Sequence, residues 1–108
     1  MNKKNVIIFG ANGGLGKEIL TRLIEKDINL YLSVKNLKAK QNLLKKFNSN
    51  QKKKINFLEI CDFGEIKGIE NFFEKLRKKK INIDLAFNCI GYFDYDKVEK
   101  LNLKKLNL

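Results

Sequence analysis

The sequence predicts an α/β fold with a parallel sheet, and three observations carry that prediction. Short apolar, β-branched runs alternate with amphipathic runs of helical period along the whole chain. They recur at roughly the ~30-residue spacing of βαβ units. The first such run, Val6 to Phe9, leads into the glycine-rich turn Gly10-Ala-Asn-Gly-Gly-Leu-Gly16 and then into a helical pattern. A strand, a turn without side chains and a helix, in that order, let a diphosphate approach the backbone. The N–H groups and positive dipole end of the helix then point at it. Val6 to Gly16 therefore reads as a dinucleotide-binding site around which the rest of the chain is organised.

Each element has its own warrant. Asn5 to Gly10 is almost continuously apolar, as expected of a central strand covered on both faces. Leu15, Ile19, Leu20, Leu23 and Ile24 then fall on one helical face, with Lys17, Glu18, Arg22, Glu25 and Lys26 on the other, until Asp27 ends the pattern. Ile28 to Val34 predicts a second strand. Asn36 suits the N-cap of a helix carrying Leu37, Leu43, Leu44 and Phe47. Asn48 to Lys54 predicts a polar loop too short to separate domains. Ile55 to Cys61 predicts the third strand. Ile66, Ile69, Phe72, Phe73 and Leu76 mark the next helix, which runs into Lys78, Lys79 and Lys80, cations that suit a helix C-terminus. Ile83 to Phe87 predicts a fourth strand, Asn88 to Tyr92 a turn, and Val98, Leu101, Leu103, Leu106 and Leu108 a last amphipathic stretch. Right-handed crossovers then give a Rossmann-type, doubly wound sheet in the order 3-2-1-4. Its ligand crevice lies at the carboxyl ends where the order reverses, between strands 1 and 4.

Composition removes several functional classes. The formal charge is +11, but all but two (Arg22 and Arg77) of the 23 basic residues are Lys, spread along the chain. A nucleic-acid footprint concentrates charge, favours Arg and interleaves aromatics, so no nucleic-acid partner is expected. There is no His, which removes the commonest general base, His-dependent triads and His-containing zinc sites; no metal site is expected. Cys61 and Cys89 would end strands 3 and 4, three strand spacings or about 14 Å apart, beyond disulfide reach. Two lone cysteines fit a reducing compartment. The start of the chain is too short in apolar residues for a secretory signal, and no run approaches the ~18 of a membrane span. The expectation is a cytoplasmic protein with no membrane partner.

The glycine turn admits two spacings. Gly10, Gly14 and Gly16 fit Gly-x-x-x-Gly-x-Gly, and Gly10, Gly13 and Gly16 fit Gly-x-x-Gly-x-x-Gly. A P-loop fails twice, because Ala11 and Glu18 stand where it needs Gly and Ser or Thr. Four separated features together resemble the N-terminal half of the short-chain dehydrogenase/reductase family. They are Gly10 to Gly16 after the first strand, Lys35 past the second, Cys61-Asp62 after the third, and Asp84-Leu-Ala-Phe-Asn88-Cys-Ile-Gly91 at the fourth. The last is similar to the family's Asn-Asn-Ala-Gly segment and favours its classical branch. Phe9, Cys89 and Ile90 depart from that pattern.

The resemblance implies that Gly10, Asn12, Gly13, Gly14, Leu15 and Gly16 cradle a pyrophosphate. It implies that Asp62 accepts a hydrogen bond from the adenine amino group with Phe63 beside it. Asn88, Cys89 and Gly91 would line the ribose near the nicotinamide. Asp62 also reads as a cap for the next helix, and Asn88 as a tie between strands. An NAD site would end strand 2 in a carboxylate, which repels a 2′-phosphate. The cation Lys35 stands there instead, so NADP(H) is expected over NAD(H), with Lys35 on the phosphate and Ser33 or Asn36 as candidates to join it; Lys35 also reads as a solvated residue.

The family's catalytic Ser and Tyr-x-x-x-Lys pair lie beyond the fourth strand, so no catalytic residue is assigned. Tyr31 and Lys35 share that spacing but lie on a strand and its exit. Residues 1–108 are thus expected to be a partial NAD(P)-binding domain lacking the catalytic half. A full form would transfer hydride between NADP(H) and a carbonyl or alcohol substrate. A non-catalytic NADP(H)-binding or regulatory module and a basic interaction domain are the alternatives, and an exposed strand edge favours self-association.

Overall fold

The computed structural model describes residues 3–90. Gly91, Tyr92 and the last amphipathic stretch lie outside the described residues. The elements run β1 (Lys4–Phe9), α1 (Gly14–Leu23), β2 (Ile28–Val34), α2 (Leu37–Lys45), α3 (Ser49–Lys52), β3 (Ile55–Ile60), α4 (Ile66–Arg77) and β4 (Leu85–Asn88). The strands form one parallel sheet in the order β3-β2-β1-β4, as the crossover rule requires.

Strand alternation sends successive side chains to two different cores. Val6 and Ile8 of β1 and Leu30, Leu32 and Val34 of β2 pack with Leu20 and Ile24 of the α1 segment and Leu43 of α2. Ile7, Tyr31 and Phe57 point the other way, onto Phe72 of α4. That second core is built from rings: Phe57 meets Phe72 with centroids 5.4 Å apart, and Phe9 meets Phe63 edge-on at 5.9 Å. Helices on both faces explain why β1 and β2 are apolar throughout their middle, where a one-sided sheet would alternate.

The amino ends of the strands are pinned by polar groups. Asn5 N–H donates to Asp84 Oδ2 at 2.7 Å, and Asp84 N–H donates back to the Asn5 carbonyl at 2.8 Å. Asn29 Nδ2 donates to Asn5 Oδ1 at 3.0 Å. Asp84 thus sets the register of β4 on β1, at the opposite end of the sheet from the ligand crevice.

Two departures from the sequence expectation have a local cause. Asn48 to Lys54 holds the short helix α3, closed by a capping box in which Asn48 Oδ1 accepts from Gln51 N–H at 2.8 Å and Gln51 Oε1 accepts from Asn48 N–H at 3.0 Å. The box is entirely polar and has no apolar face, so hydrophobic periodicity does not reveal it. β4 begins at Leu85, two residues after Ile83, because Ile81 and Ile83 pack against the aromatic core instead of joining the ladder. Among the described residues no helix is long and apolar enough to cross a membrane.

Candidate dinucleotide site

A crevice of about 110 Å³ opens at the carboxyl ends of the strands. All four strand exits contribute: Gly10, Asn12 and Gly13 after β1, Lys35 after β2, Cys61 and Phe63 after β3, and Cys89 and Ile90 after β4. The parallel topology alone brings these distant positions together.

The glycines divide into two pairs. Gly10 has φ +78°, and a Cβ there would lie 2.9 Å from the Cys89 carbonyl oxygen. A Cβ on Gly16 would lie 2.0 Å from the Gly10 carbonyl oxygen. These two glycines let the turn fold back on itself. Gly13 and Gly14 have room: a Cβ on Gly13 would meet its nearest atom at 3.6 Å, and one on Gly14 would meet nothing within 4 Å. Their bare backbone keeps the space above the turn clear.

Helix α1 starts from this turn with Gly13 as its N-cap, so no side chain caps it, and its first turn carries no acid. By contrast α2 is capped by Asn36, whose Oδ1 accepts from Ala39 N–H at 2.8 Å. The first N–H groups of a helix need acceptors, and the dipole adds positive potential there. The amino end of α1 is therefore suited to an anion supplied from outside the chain.

Three hydrogen bonds join the turn to the end of β2. Gly10 N–H donates to Ser33 Oγ at 2.9 Å, Ala11 N–H donates to the Ser33 carbonyl at 2.8 Å, and Lys35 N–H donates to Asn12 Oδ1 at 3.1 Å. Ser33 is only 1% exposed, which corrects its expected place on a 2′-phosphate: it is a brace beneath the turn. One signal pointed to this role, a small hydroxyl residue inside the otherwise apolar stretch Leu30 to Val34. Asn12 likewise acts as a strut between two loops.

The remaining expected residues surround the crevice. Lys35 and Asn36 are exposed at the exit of β2. Asp62 is half-buried; its Oδ1 accepts from Gly64 N–H at 2.9 Å, and Glu65, at the N-cap position of α4, makes no side-chain capping hydrogen bond. Phe63 lines the crevice with its ring edge against Phe9, which accounts for an aromatic at position 9. Asn88 is exposed and its Oδ1 accepts from Ile90 N–H at 3.2 Å, closing its own turn. Leu15 projects from the start of α1 and is 62% exposed.

Both cysteines are free thiols. Burial pushes each thiol up from its ordinary value, and the Asp62 carboxylate adds to the effect at Cys61. Both shifts favour the neutral thiol over the nucleophilic thiolate. Tyr31 is buried among the rings and its phenol is also raised by burial, so it makes no catalytic pair with the exposed Lys35. Among the described residues no group of three potential metal ligands occurs.

Comparison with known proteins agrees with this geometry. The family model described as short chain dehydrogenase matches residues 4–107. The chain is 29% identical over 94 residues to (-)-isopiperitenone reductase of Mentha piperita, covering 82% of this chain and 29% of that enzyme. Its fold is similar to that of an actinorhodin polyketide ketoreductase solved with NADPH, with TM-score 0.65 and 19% identity, over 82% of this chain and 33% of the ketoreductase. A reductase engineered to attenuate substrate inhibition superposes with TM-score 0.59 and 21% identity, over 89% and 28% of the two chains. The chain thus spans about a third of the length of these proteins. The family model spans nearly the whole chain, residues 4–107, and the chain belongs to the short chain dehydrogenase family.

Proposed function

We propose that this chain is the NADP(H)-binding half of a reductase whose full form transfers hydride between the nicotinamide and a carbonyl or alcohol carbon. The observation that carries the reading is the bare amino end of α1, opening beside Lys35 at the switch point of the sheet. The residues fit the cofactor. Gly13 and Gly14 leave space where a pyrophosphate would approach, and Gly10 and Gly16 hold the turn in that shape.

When bound, the dinucleotide supplies the hydride. The chain's own part is to hold and orient it: the glycine turn on the diphosphate, Asp62 and Phe63 at the adenine, and Asn88, Cys89 and Gly91 toward the nicotinamide ribose. Lys35, with Asn36 beside it, supplies positive charge for a 2′-phosphate, and among the described residues no carboxylate lines the crevice to repel one.

Isothermal titration calorimetry tests the reading. NADPH is expected to bind at least tenfold more tightly than NADH, and Lys35→Glu to abolish or reverse that ratio while NADH binding changes little. Equal affinities in the unaltered protein would overturn the NADP(H) preference, and no binding of either nucleotide would overturn the site.

A further inference from the structure

A second cavity of about 260 Å³, larger than the dinucleotide crevice, lies between α1 and α2 on the face away from α4. Its floor is apolar, formed by Leu20 of α1 with Ala39, Leu43 and Phe47 from α2 and its exit, all packed into the core of that face. Its rim carries three cations, Lys17, Lys38 and Lys46, and three amides, Asn12, Asn36 and Asn42.

Among the described residues no Asp or Glu lines the cavity. The ion pairs among the described residues join Lys3 to Asp27, Arg22 to Glu18, Lys75 to Glu59 and Arg77 to Glu74, and none draws on a rim lysine. The acids of the α1 segment are engaged elsewhere: Glu18 accepts from Arg22, and Glu25 accepts from Gln51.

Three like charges around an apolar basin repel one another and leave hydrocarbon in contact with water. One kind of occupant relieves both. We propose that this groove binds a small amphipathic carboxylate, its hydrocarbon part over Leu20, Leu43 and Phe47 and its carboxylate among the three lysines. A short anion without a tail gains nothing from the floor, and a cation of the same shape is repelled by the rim. The volume is below the ~300–1,000 Å³ of drug-sized sites, which suits a chain of roughly ten carbons. Asn12 separates this groove from the dinucleotide crevice, lining both while its Oδ1 accepts from Lys35 N–H. The two sites are thus expected to fill independently.

The test is calorimetric titration with decanoate below its micelle concentration, alongside backbone amide shift mapping, with acetate and decyltrimethylammonium as controls. Saturable one-to-one decanoate binding is expected, with shifts concentrated on α1 and α2 and undiminished by saturating NADPH. The exposed double variant Lys38→Glu/Lys46→Glu is expected to bind at least tenfold more weakly, with an unchanged circular dichroism spectrum, whereas Lys26→Glu binds as the unaltered protein. Absent decanoate binding, equal binding of either control, displacement by NADPH, or undiminished binding by the double variant would overturn the proposal. The decanoate titrations made without nucleotide fail separately from the NADP(H) reading.

Discussion

At the scale of single residues, the glycine turn separates folding from binding. Gly16 has no room for a methyl group, since its Cβ would overlap the Gly10 carbonyl oxygen. Gly16→Ala is therefore expected to destabilise the fold by about 3 kcal/mol or more, the upper range for forced overpacking. Gly13 has an extended backbone, φ −77° and ψ 173°, and ordinary contacts around a built Cβ. Gly13→Val is expected to keep the melting temperature within a few degrees while weakening NADPH binding at least tenfold, because its branched side chain projects where the nucleotide must approach. Thermal melts beside titrations of the two variants check the contrast; equal loss of stability in both would contradict it.

The thiols give a pH dependence of definite sign. Cys61 and Cys89 have pKa values raised above the ordinary 9.0, so as pH climbs the unfolded chain loses these protons before the folded one does. Their contribution is fully present below 9.0 and is lost as pH rises through that value toward the folded pKa values. Urea unfolding at neutral and alkaline pH is expected to show falling stability, with a shallower fall in Cys61→Ala/Cys89→Ala.

At the scale of elements, helix ends show which local rules the chain obeys and where it breaks one. Asn36 caps α2, the Asn48–Gln51 box caps α3, and Lys54 Nζ donates to the Ile24 carbonyl at the end of the α1 segment at 2.8 Å. The exit of α4 breaks the pattern. Lys80 adopts φ 51°, a left-handed conformation that glycine takes without cost, while its N–H donates to the Arg77 carbonyl at 3.0 Å. Lys80→Gly is expected to stabilise the protein by about 1 kcal/mol, or roughly 4–8 °C in Tm, measured by calorimetry. An unchanged or lowered Tm would show that the lysine side chain contributes more than the backbone strain costs.

At the scale of the whole molecule, the sheet has unequal edges. β3 carries Glu59, paired with Lys75, whereas β4 is uncharged and presents Leu85 at 50% exposure, pairing among the described residues with β1 alone. An apolar edge without a charged gatekeeper favours strand addition by a second copy. Sedimentation velocity is expected to show concentration-dependent association that Leu85→Lys weakens at least tenfold. A monomer at all concentrations would remove the edge as an interaction surface.

The sequence by itself determined the alternation of strands and helices, the sheet order, the capping role of Asn36 and the family. Each of these rests on short-range regularities: residue period, turn chemistry and the handedness of crossovers. Tertiary structure decided the rest. It placed Ser33 beneath Gly10, set Asp84 at the amino end of the sheet away from the crevice, moved Ile83 out of β4 into the ring core, and gathered three lysines from two helices around one basin. Those placements depend on partners separated by many residues, such as 23 between Gly10 and Ser33 and 79 between Asn5 and Asp84. The closure of parallel strands brings such partners together, and no local pattern records which residues will meet.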